Sequence, residues 1–203
     1  MKPTVNEKKA APRGKEQVKA ALIDAGIKLF SERGMSSVSV RDLADEAGVN
    51  HSLLFRHFGD KKALIKAVFE QRFKLLGEYN ESMTTDGDVM LETSIRAVMQ
   101  DQALWRLMTF AALEGEFDVL HSIPSPYMQS TLKQLKLRQK NNQIYDGVEA
   151  EVLLGSGFAL GLGWAIFRKM LMAMAGAQQR DFEEIRVQVD KLWEDILKPR
   201  DVI

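Results

Sequence analysis

Residues 39–58 read SVRDLADEAGVNHSLLFRHF. Ser39 and Asp42 stand three apart ahead of an apolar run, close to the capping-box spacing in which each side chain serves the other's amide. Val40, Leu43, Ala44 and Ala47 then share one face of a two-turn helix, which Gly48 ends. Asn50 is a good N-cap for a second helix that runs to about Phe58, with Leu54 and Phe58 pointing inward. Two short helices joined by a tight glycine turn make a helix-turn-helix. The first braces the second, whose leading residues can enter a major groove. Asn50, His51 and Ser52 occupy that leading turn, and each can donate hydrogen bonds to base edges.

Working outward, apolar residues recur at helical spacing nearly throughout, and no convincing strand interrupts them. Upstream, Val18, Leu22, Ala25 and Leu29 form a stripe on a helix from Lys15 to Arg33, stopped by Gly34. Downstream, Gly59-Asp60 restarts the chain into a helix from Lys61 to about Tyr79. Amphipathic segments follow near 88–100 and 103–116, then a helix from about Ser125 to Lys140 with Tyr127, Leu132 and Leu135 inward. Val148 to about Ala175 is apolar nearly all round, which predicts burial on more than one side. Asp181 to Lys198 is the last helix, stopped by Pro199. The expected fold class is all-α, with about nine helices. The expected organisation is a disordered basic leader (1–14), a helix-turn-helix domain (15–60), a connecting helix (61–80) and a helical domain (81–203).

Composition removes several functions. The 203 residues include no cysteine, so disulfides, cysteine-ligated zinc and thiol catalysis are excluded. His51 and His57 are six apart and face different sides of a helix, and no H-E-x-x-H pattern exists, so no metal or other cofactor is expected. The sequence offers no nucleophile-base pair and no phosphate loop, so no catalytic residue is assigned. The first residues lack a secretory apolar run, and the most apolar stretch, 152–167, is shorter than the roughly 20 residues of a bilayer span, so a cytoplasmic protein with no membrane partner is expected. Net charge is zero, yet residues 1–80 hold 15 Lys and Arg against 10 Asp and Glu, while residues 81–203 hold 13 against 18. A basic front on an acidic body suits a molecule that meets phosphate at one end. Lys61 and Lys62 open a helix where the macrodipole is already positive, a cost easier to understand if an anion sits there.

From about Lys15 to Phe69 the chain resembles the N-terminal domain of TetR-type (TetR/AcrR) transcriptional regulators. The similarity lies in AALIDAGIKLFSERGMSSVSVRDLADEAGVNHSLLFRHFGDKKAL, residues 20–64, with its L-F-x-E-R-G stop, its A-G-V turn and its H-F-x-x-K-x-x-L exit. The resemblance implies a ligand-responsive repressor that binds a palindromic operator as a homodimer through its last two helices. It implies that Ser39 and Arg41 touch backbone or a base, that His51 and Ser52 read bases, and that Arg56, His57 and Lys61 hold phosphates. Leu53 and Phe55 depart from it, standing where a small hydroxyl residue and a tyrosine are usual. They either meet thymine methyls or pack within the domain; Leu53 leans to methyl contact and Phe55 stays open.

Gly155, Gly157, Gly161 and Gly163 lie in the long apolar helix, where each costs up to about 1 kcal/mol relative to alanine. Close packing, within the domain or across a dimer, explains them better than room for a ligand. Gly155, Gly163, Phe167, Met170, Ile185, Val189, Leu192 and Trp193 are the candidate dimer residues. Met99, Trp105, Met108, Phe110, Leu113, Met128, Phe158 and Trp164 are candidates for an effector pocket, although such a stripe is more often plain core. Few charges lie on those walls, so the expected effector is uncharged or hydrophobic. Two other readings stand beside the regulator: an enzyme on a helical bundle, and a helical interaction protein with weak or lost DNA binding.

Overall fold

Gly34 and Gly48 punctuate the N-terminal helices, and both adopt positive φ, 83° and 67°. At such angles a side chain is strained, so glycine lets each helix stop within one residue. The computed structural model describes Pro12 and residues 14–83 and 101–198. These residues form nine α-helices and no strand: α1 (Lys15–Arg33), α2 (Val40–Ala47), α3 (Ser52–Phe58), α4 (Lys61–Met83), α5 (Gln102–Glu114), α6 (Phe117–His121), α7 (Pro126–Lys140), α8 (Ala150–Met174) and α9 (Phe182–Leu197). All of the expected leader but Pro12 and Gly14, the segment at 88–100, Met99, the stop at Pro199 and the Trp193 side chain lie outside the described residues.

The helices fall into two compact units, one reaching Gln71 and taking in Arg106–Ile123, the other comprising Arg72–Trp105 and the chain from Pro124. In the first, Val18, Leu22, Leu29 and Phe30 of α1, Leu43 and Ala44 of α2, Leu54 of α3, and Leu64, Val68 and Phe69 of α4 are buried. Each large apolar side chain removed from water in this way contributes about 1.5–3 kcal/mol. Close approach of α1 and α4 depends on Gly26, where an added Cβ would lie 2.7 Å from Val68 Cγ2. Lys28 donates to Glu46 at 2.7 Å, which links α1 to α2 and raises the lysine pKa.

The second unit is built differently. Leu135, Ile144, Ala150 and Leu154 form a buried cluster between α7 and α8, with Met128, Leu132, Leu153 and Phe158 packed against it. Ser125 caps α7 by accepting from the Met128 amide at 3.3 Å, with Pro126 at the first helical position, where its missing N–H costs nothing. Beyond this cluster α8 departs from expectation. Its burial on more than one side is not observed: Leu160, Phe167, Met170, Leu171 and Met174 are exposed. The helix is apolar all round, but these residues find no cover within their own unit. By length and composition α8 could cross a membrane.

Candidate nucleic-acid interface

The helix-turn-helix forms by the local chemistry its sequence carries. The Ser39 hydroxyl accepts from the Asp42 amide at 3.1 Å, and the Asp42 carboxylate accepts from the Ser39 amide at 2.8 Å, completing the capping box. The Ser39 hydroxyl, and then its amide, hold the Asp42 carboxyl below its ordinary pKa. That hydroxyl also donates to Asp42 at 2.5 Å, so the cap already occupies it. At the far end of α2, the Val49 amide reaches the Ala44 carbonyl at 2.9 Å and Gly48 turns the chain.

α3 begins at Ser52, later than the Asn50 cap had placed it. Asn50 still caps: its side-chain oxygen accepts from the Ser52 amide at 2.9 Å. Residue 51 is already helical, and i→i+3 bonds from the Leu53 and Leu54 amides tighten this first turn. The asparagine oxygen is therefore committed, and its NH2 group remains able to donate outward. Leu54 is fully buried, whereas Phe58 is half-buried rather than in the core.

Ser39, Arg41, Asn50, His51, Ser52 and Arg56 are exposed, and His57 and Lys61 half-buried. Of the two departures, Leu53 is half-buried and Phe55 is 50% exposed. At the start of α4 the Asp60 carboxylate accepts from the Ala63 amide at 2.7 Å. This side chain supplies the anion that Lys61 and Lys62 had seemed to call for, so the lysine pair is not evidence of a bound one. Among the described residues, no three or more His, Cys, Asp or Glu side chains gather into a possible metal site.

Sequence reasoning missed a clasp behind this face. Glu114, ending α5, accepts from the Ser36 amide and hydroxyl, both at 2.9 Å. Arg106 donates to the carbonyls of Ser31 and Glu32, which terminate α1. Gly34 makes room: an added Cβ would lie 3.0 Å from Phe110 Cδ1 and closer still to the Glu114 carboxylate. Partners 78 residues apart leave no local pattern to read.

Of the candidate effector residues, Met108, Phe110 and Leu113 belong to the first unit and Trp105, Met128, Phe158 and Trp164 to the second. Met128 and Phe158 pack against the α7–α8 core, Trp105 is buried, Leu113 is exposed, and Met108 and Phe110 are half-buried. Trp164 lines a cavity together with Arg168, Met172 and Ile185. Of the candidate dimer residues, Phe167, Met170 and Leu192 are exposed, while Ile185 is buried within its own unit. Gly155 is exposed, Gly163 and Val189 are half-buried, and a Cβ added at Gly155 or Gly163 would meet nothing within 4 Å beyond the helix itself.

The model of the family described as bacterial regulatory proteins, tetR family, matches residues 22–68. The chain is 30% identical over 198 residues to the HTH-type transcriptional repressor Rv3405c of Mycobacterium tuberculosis, covering 95% of this chain and 96% of that one. The chain belongs to the TetR family. Solved TetR-like folds agree. A transcriptional regulator, SCO4942, from Streptomyces coelicolor superposes with a TM-score of 0.70 at 18% identity, over 90% of this chain and 99% of that one. A tetR family regulator from Shewanella sp. PV-4 gives 0.69 at 19% identity, over 93% and 100%. A shorter match, 33% identical over 76 residues, or 37% of each chain, links it to the repressor KstR2 of Rhodococcus jostii. This TetR-family chain is a DNA-binding transcriptional regulator of the helix-turn-helix type.

Proposed function

We propose that this protein is a cytoplasmic repressor that binds a palindromic operator as a homodimer and leaves it when a small molecule binds the C-terminal region. The observation that carries the reading is the division of α2 and α3. Leu43, Ala44 and Leu54 are buried, while Arg41, Asn50, His51, Ser52 and Arg56 face outward. His51 and Ser52 read bases, Asn50 adds an amide donor, and Arg41, Arg56, His57 and Lys61 hold phosphates. Ser39 acts through the start of α2. Phe55, with more open surface than Leu53, is the better placed for a thymine methyl.

A second copy is the occupant we assign to the exposed apolar residues of α8 and α9, Phe167, Met170, Met174, Val187 and Leu192. Exposed apolar surface of this kind marks an interaction site, and two-fold pairing would space two copies of α3 along one duplex. We place the domain boundaries at about residues 60 and 80, with α4 as the connecting helix. A small, hydrophobic effector that prefers a conformation with the wrong spacing weakens DNA binding by that preference alone. Glu114, clasping Ser36, is a route by which movement of α5 reaches the base of the helix-turn-helix.

Footprinting on DNA flanking the gene tests the proposal. The expected result is two protected half-sites related by a dyad, about one helical turn apart. A single unpaired footprint would remove the dimer. No protection at any concentration that saturates a regulator would favour the interaction protein, for which the exposed Phe55 is the one specific support.

A further inference from the structure

We infer that Glu114 is a positioning residue for DNA recognition: without touching DNA, it sets operator affinity by fixing the turn from which α2 starts. The inference rests on the DNA-binding reading of α2 and α3. Glu114 ends α5, where the helix macrodipole is negative and a carboxylate is disfavoured. Two donors of one residue offset that placement. The Ser36 amide reaches one carboxylate oxygen and the Ser36 hydroxyl the other, both at 2.9 Å. Just over two turns earlier on the same helix, Arg106 donates to the Ser31 carbonyl at 2.5 Å and to that of Glu32 at 3.4 Å. The α5 cation thus meets the negative end of α1, and the α5 anion meets the amide of the turn that follows.

The turn at 34–39 is anchored in two ways. Met35 and Val38 bury their side chains, and apolar burial is non-directional. Hydrogen bonds are directional, so the Glu114 carboxylate fixes the orientation of Ser36 between those two residues. Ser39, a little further on, caps α2, and Arg41 lies in the first turn of that helix. α2 therefore takes its starting direction from the clasped turn, and it braces α3. A binding constellation tolerates displacements of only about 0.5 Å, so a loosened turn is felt at the DNA. Close approach of α5 is secured by Gly34, at a φ of 83° that favours glycine, where a Cβ would meet Phe110 and the Glu114 carboxylate. Ser36 is exposed and Glu114 half-buried, so truncating either opens no cavity in the core.

The test measures affinity for the footprinted duplex across a range of salt, below each protein's melting transition. Wild type is compared with Ser36→Ala, Glu114→Ala, Glu114→Gln and Ser36→Ala/Glu114→Ala, all full length. Glu114→Ala should bind roughly tenfold more weakly, the scale of one lost hydrogen bond to a charged group. Its salt slope should match wild type, because every phosphate contact survives. Glu114→Gln, which keeps one acceptor, should fall between the two. The double variant should be no weaker than Glu114→Ala, since both changes remove the same contact. Hydrogen exchange of the Ser36 amide should quicken in Glu114→Ala while the amides of α3 stay protected. Unchanged affinity in Glu114→Ala, a shallower salt slope, additive losses in the double variant, or lost protection throughout α3 would each overturn the inference. A wild type that binds no duplex would overturn the regulator reading, and the inference with it.

Discussion

Leu54 on α3 is fully buried, whereas Leu192 on α9 is 58% exposed, and the contrast extends to their surroundings. The N-terminal helices bury large apolar residues and turn polar and cationic ones outward. α8 and α9 leave a run of leucine, methionine and phenylalanine uncovered. The first arrangement is completed within the chain, and its surface is free to meet a polyanion. The second calls for cover from outside its own unit, and we assign that cover to a second copy.

The contrast is most severely strained by two matched truncations. Leu54→Ala should destabilise the protein by about 2–5 kcal/mol, the usual cost of a core leucine truncation. Leu192→Ala should leave the folded chain intact but weaken self-association. Chemical denaturation at low protein concentration, with sedimentation alongside, separates the two. Equal loss of stability in both would erase the distinction drawn here.

Next in size is Gly26→Ala, whose added methyl meets Val68 Cγ2 at 2.7 Å. Overpacking costs about 1–3 kcal/mol, against a gain of up to about 1 kcal/mol in helix propensity. The net should be a lower melting temperature, and a rise would show that α1 and α4 can part without penalty.

Ser39→Ala should cost about 1 kcal/mol through loss of the α2 cap. It should also change the acid limb. The Asp42 carboxyl is held below its ordinary value of 3.8 by Ser39. The unfolded chain therefore binds this proton more readily, and the stability it contributes is present above that pH and lost as pH falls through the folded value. Urea midpoints at pH 7 and in this acid range should differ less for Ser39→Ala than for wild type.

Smallest is Lys136→Gln on the exposed pair with Glu151, at 2.5 Å. It should leave the melting temperature unchanged, since such pairs contribute little.

The two regions also differ in how far they can be read from sequence. The bounds of α1, the capping box at Ser39 and the stop at Gly48 follow from local chemistry, and the structure reproduces them. The five-residue helix α6 was missed because one turn is too short for periodicity to register. Exposure along α8 was missed because an apolar sequence reports a need for cover, not where the cover comes from. The Glu114–Ser36 clasp joins residues with no shared periodicity. The outward residues of α2 and α3 were legible because they alternate with an apolar face only seven or eight residues long.

The most direct test of the regulator account is the affinity of wild type and His51→Ala/Arg56→Ala for a duplex carrying the footprinted site, measured across a range of salt. Wild type should bind tightly, with affinity falling linearly in log–log coordinates as phosphate contacts are lost to salt. The double variant should lose roughly 1–3 kcal/mol for each contact and show a shallower slope. Equal, weak, salt-insensitive binding by both proteins would contradict the account.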